Sequence, residues 1–148
     1  MSKLNESLER LSILAAQLND ETDQVNSVIA NVEHKLSTLK LGVSVWLSGE
    51  RGPIVLGEFE GGGGWHLGYT KVGGQWRLVT RPVLGNAATP FELAVSELGS
   101  GKVVPLLEAP RLVRVEACGH LEHLVEDLSA RITGFIRAIE TAKNAVQK

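Results

Sequence analysis

"LNESLERLSILAAQLNDETDQVNSVIANVEHKLSTL", residues 4–39, decides how this chain is built. Leu4, Leu8, Leu11, Ala15, Leu18, Thr22, Val25, Ile29, Val32, Leu36 and Leu39 recur at alternating gaps of four and three. That is a 3.5-residue period, the signature of one apolar seam along a helix. No proline or glycine interrupts it, so the spacing predicts a single helix over 2–40, roughly 58 Å long at the helical rise. Gly42 is placed to end it, with Lys40 near the negative end of the helix dipole. Leu14 and Val28 widen the apolar stripe, and the flanks lack the Glu/Lys alternation of a parallel zipper. The pattern is that of a bundle helix rather than a free two-stranded coiled coil.

Past Gly42 the period changes to two. "VSVWL" at 43–47 and "IVLGEF" at 54–59 alternate as strands, separated by the turn residues "GERGP" at 49–53. Then come four glycines, Gly61 to Gly64, followed by "WHLGYTKV" and "QWRLVTR" joined through Gly73 and Gly74. A two-residue Gly-Gly link suits a type I′ turn, in which both central residues need positive φ. Residues 43–82 therefore read as an antiparallel meander of about four strands.

Residues 83–109 read as irregular. Thr89, Pro90 and Glu92 have the form of a capping box opening a short helix over 90–98, and "KVVPLL" at 102–107 reads as extended, a hairpin across "GSG" at 99–101 being the competing reading. A second long helix is expected over 110–146, with Ala117, Leu121, Leu124, Leu128, Ile132, Phe135, Ile139, Ala142 and Val146 at helical spacing. The expected fold is α+β: one domain over 1–148, with two long antiparallel helices flanking an inserted antiparallel sheet. Two wide apolar faces exceed what one helix pair needs, so a homo-oligomer, a dimer with a four-helix core, is expected; the alternative is a monomer whose helices fold back onto the sheet.

Composition excludes more than it indicates. The chain has 148 residues and a formal net charge of −2, which gives no overall reason to bind nucleic acid or an anionic membrane. The single cysteine, Cys118, cannot form an intrachain disulfide, and no uninterrupted apolar run reaches membrane-spanning length. No basic n-region with an apolar h-region opens the sequence, so the expected location is the cytoplasm. The charge is unevenly spread. Between Glu60 and Glu92 there is no acidic residue, while Lys71, Arg77 and Arg81 are basic.

The glycine run is not a phosphate loop of the usual kind, because a strand follows it and no helix N-terminus gathers its N–H groups. "ELGSGKV" at 97–103 departs from the Walker pattern at Ser96 and Val103. The hairpin offers a different site. Pairing across Gly73 and Gly74 puts Trp65, Tyr69 and Trp76 on one face, a core or partner surface. His66, Gly68, Thr70, Arg77 and Arg81 fall on the other, with His66 opposite Arg81 and Thr70 opposite Arg77. Together with Gly63 and Gly64, these residues are the candidate site for a small, nucleotide-like anion, Gly68 leaving a gap for it. The plainer reading is a solvated sheet face with ordinary surface arginines.

Glu116, His120, His123 and Asp127 are spaced four, three and four apart, a helical stripe able in principle to ligate a metal. The commoner meaning of such a stripe is a polar flank. No nucleophile, base and orienting group come together, so no catalytic residue and no cofactor are expected. Aromatics and arginines on opposite faces also argue against stacking on nucleic acid. The expectation is a non-enzymatic interaction or regulatory protein that self-associates through its long helices and presents the sheet to a protein partner. The alternative is a binder of a small anionic ligand at the basic hairpin.

Overall fold

A computed structural model describes residues 2–49, 52–57, 63–84 and 103–147, with only the backbone at 52, 53 and 84. The architecture is α+β: a long N-terminal helix, an antiparallel sheet and a long C-terminal helix. Helix α1 spans Ser2–Thr38. It stops ahead of Gly42 because the Ser37 and Thr38 hydroxyls bond back to the carbonyls of His34 and Lys35, and Lys40 turns left-handed at φ 51°. Among the described residues, no helix is long and apolar enough to cross a membrane.

The centre of the sheet is the hairpin of β5, Gly63–Val72, and β6, Gln75–Leu84. Its register is the expected one throughout, including Val72↔Gln75, Tyr69↔Leu78 and His66↔Arg81. Gly73 and Gly74 sit at φ 57° and 82°, the two positive values a type I′ turn demands.

Outside the hairpin the strand order departs from a meander. Strand β1, Val45–Trp46, and strand β4, Val55–Leu56, lie end to end along the same edge of β5. Both run antiparallel to it, β1 at Tyr69 and Gly68, β4 at His66 and Trp65. Between them the chain leaves the edge as a small hairpin of β2, Ser48–Gly49, and β3, Gly52–Pro53. The two apolar runs read as successive strands are thus one edge strand with an excursion. Local alternation cannot tell these apart, since each half shows the same period of two. On the far side, β7, Val104–Pro105, pairs with Val79 and Thr80 of β6 and leads into a 3-10 turn over Leu106–Glu108. The expected short helix over 90–98 lies outside the described residues.

The C-terminal helical stretch is not continuous. Helix α2, Arg111–Cys118, ends at Gly119, and helix α3, Leu121–Val146, begins after His120. At the joint the Gly119 and His120 N–H groups donate to the Glu116 and Ala117 carbonyls, tight 3-10-type bonds that interrupt the α-helical ladder. Glycine's low helix propensity makes the break inexpensive there.

The break lets the two helices serve different surfaces. Helix α2 packs on α1 and α3 packs on β1. The core gathers Ile29 and Leu36 of α1 with Leu47, Leu56, Leu67, Tyr69 and Leu78 of the sheet. Leu106, Val113, Ala117, Leu121, Leu124 and Leu128 close it from the C-terminal side. Thr22, a polar residue in the seam, is buried with its hydroxyl donating to the Leu18 carbonyl at 2.7 Å.

This core uses only half of each long helix. In α1 the seam is buried or half-buried from Thr22 to Leu36, while every residue from 2 to 21 is exposed. In α3, burial ends at Leu128, and beyond it only Ile132 is even half-buried.

Candidate functional site

The face of the hairpin opposite the helical core is built around Trp46. Strand β1 pairs Trp46 with Gly68, which sets the indole against the β5 backbone. A Cβ at Gly68 would stand 2.6 Å from the indole Cδ2, so only glycine admits the ring. The Arg81 guanidinium caps the indole at 3.7 Å from its centroid, and the His66 ring lies 5.2 Å away. The gap at Gly68 expected to admit a ligand is therefore filled by Trp46.

His66 is buried and neutral. Its Nε2 donates to the Leu47 carbonyl at 2.9 Å, since a carbonyl only accepts. Nδ1 is thereby the acceptor, 3.4 Å from Arg81 Nη2. Burial is the main cause that pulls its pKa from 6.5 down to about 4. The Arg81 charge adds to the fall, and the Leu47 carbonyl partly opposes it. Burial also lowers the pKa of Arg81. Arg81 Nε is buried with no hydrogen-bond partner among the described residues.

The remaining candidates on this face are engaged within the fold. Thr70 shares a 2.8 Å hydroxyl hydrogen bond with Ser44. Arg77 pairs with Glu33 of α1 at 3.5 Å. The other Glu33 oxygen accepts the Leu78 N–H at 3.0 Å, closing a sheet edge that β7 does not reach. Gly63 and Gly64 belong to β5, opposite Leu84 and Val83, and not to a loop.

The opposite face is core. Tyr69 is buried and stacks on Trp76 at 5.7 Å, and Trp65 and Trp76 pack against the core cluster. Burial, with Glu33 nearby, raises the Tyr69 pKa.

The polar stripe of the C-terminal helices is divided by the break at Gly119. Glu116 accepts the Gly57 N–H at 2.6 Å. Asp127 accepts the Ser48 N–H at 3.2 Å and lies 3.4 Å from His123. His120 stands at the N-terminus of α3. Among the described residues no three His, Cys, Asp or Glu side chains gather to hold a metal. Cys118, its thiol raised in pKa by burial, points toward the Val25 carbonyl of α1.

Among the described residues, open grooves lie on both sides of the sheet. One, about 580 Å³, runs between α1 and the hairpin, lined by Glu33, His34, Ser37, Gln75, Trp76 and Arg77. Another, about 550 Å³, lies between β1 and α3, with Trp46, Ser48, Asp127 and Arg131 in its wall. Neither Glu33 nor Trp46 is marked in the sequence as part of a site. Each acts through a strand or helix distant in sequence, and no local motif carries that information. Compared with known proteins, the chain matches no family model, no curated protein and no solved structure.

Proposed function

We propose that this protein is a non-enzymatic interaction protein that self-associates through its long helices and presents its sheet end to a protein partner. The observation that carries the reading is the exposure of the heptad seam. Leu4, Leu8, Leu11 and Leu18 are each about half exposed, although the same seam is buried or half-buried from Thr22 to Leu36. A contiguous apolar stripe of this length marks an interaction surface. The sheet side supports a structural rather than catalytic role, since its titratable groups are spent on internal bonds. His66 is neutral against Leu47, Glu33 holds Leu78 and Arg77, and Glu116 holds Gly57.

A second reading, a site for a small anionic ligand, keeps one observation in its favour: the buried Nε of Arg81, which has no hydrogen-bond partner among the described residues. Native mass spectrometry of the purified chain separates the two. The first reading expects a multiple of the chain mass with nothing retained. A monomer carrying a small molecule would favour the second, and a bare monomer would contradict both.

A further inference from the structure

We infer that the outer halves of α1 and α3, residues 2–21 and 129–146, form one four-helix core with the same halves of a second copy, and that their folding is coupled to this pairing. The inference rests on the self-association proposed above and names its surface and occupant.

Ile132 aside, neither half is covered by the described residues of its own chain. The principal neighbours of α1 are α2, β6 and the 3-10 turn, and that of α3 is β1. Every residue from 2 to 21 is exposed, as is every residue from 133 to 146. The α1 half shows Leu4, Leu8, Leu11, Leu14 and Leu18, and the α3 half shows Phe135, Ile136, Ile139 and Val146. All are about half exposed or more.

Three features select a second copy as occupant. The first is area. A half-exposed large aliphatic or aromatic side chain still shows on the order of 80 Å², so the two halves offer roughly 700–800 Å² per copy, about one side of a standard interface. The second is width. Leu14 beside the α1 seam and Ile136 beside the α3 seam give each half a face broad enough for two neighbours, as in a four-helix bundle. The third is charge. Residues 2–21 carry four acidic and two basic side chains, whereas 129–146 carry three basic and one acidic. The sign favours α1 halves beside the partner copy's α3 halves and disfavours like beside like.

The coupling to folding follows from exposure. In proteins most helical stability comes from packing of the apolar face, and these two extensions have none within the described part of one chain. Covering their seams supplies the missing stabilisation.

The test is hydrogen exchange on the full chain, with sedimentation equilibrium on the same samples, for wild type and for Leu8→Asp/Leu11→Asp. Wild type is expected to sediment as a dimer, with amides of 6–21 and 133–146 protected at least tenfold over unstructured chain. The variant is expected to be a monomer that loses protection in both segments while β5 and β6 keep theirs. Loss at 133–146 is the decisive result, because the substitutions are in the other helix. A variant that stays dimeric, or loses protection only around residues 8–11, overturns the inference and leaves self-association standing. A monomeric wild type overturns both. So does a monomer whose two segments become protected only on phosphatidylserine vesicles, since a lipid surface would then be the occupant.

Discussion

The indole of Trp46 rests against Gly68, which leaves no room there for a Cβ. Through this contact an edge strand of two residues is held across the sheet to Arg81 of β6. Gly68→Ala is expected to destabilise the fold by about 2 kcal/mol, the usual cost of overpacking. In a Trp46→Ala background the same change should cost far less, because the opposing ring is gone. Denaturant unfolding of the four proteins forms the double-mutant cycle. Additive effects would show that the two residues are not coupled.

His66 makes stability fall on the acid side. Its folded pKa is about 4 against 6.5 for the free side chain, so between these values the unfolded chain takes up a proton that the folded chain refuses. The contribution is complete above pH 6.5, declines as pH drops through the window and levels off below about pH 4. Its full size is on the order of 3 kcal/mol. His66→Gln keeps a donor for Leu47 but cannot titrate. The stability difference between wild type and His66→Gln should therefore shift in the variant's favour from pH 7 to pH 4.5, and a constant difference would contradict the assignment.

Glu33 seals a sheet edge. One oxygen accepts the Leu78 N–H and the other faces Arg77. Glu33→Ala strands a part-buried N–H and is expected to cost about 2 kcal/mol. Arg77→Ala removes only a partly exposed ion pair and should cost under about 1 kcal/mol. Thermal unfolding of the two variants checks the order, and an equal or reversed ranking would mean that the ion pair, not the edge bond, is the larger contribution.

The elements set by local chemistry were legible from residues alone. The 3.5-residue spacing marked α1, and Gly73–Gly74 fixed the hairpin and its register. What was not legible depends on partners distant in sequence. Val45–Trp46 and Val55–Leu56 alternate like any two strands, and nothing in them states that both share one edge of β5. Gly68 looked like open space because the ring that fills it comes from residue 46. His66 looked solvent-facing for the same reason. Gly119 and Gly134 are equally poor helix formers, yet the break falls only at Gly119, where α2 packs on α1 and α3 on β1. The seam itself was legible, whereas its division into a buried half and an exposed half follows from where the sheet ends.

The exposed half of that seam is the basis of the functional account, and sedimentation equilibrium of the purified full chain over a range of micromolar concentrations tests it most directly. The account predicts a mass of twice the 15.9 kDa chain, with dissociation on dilution. A mass of 15.9 kDa at every concentration would contradict it.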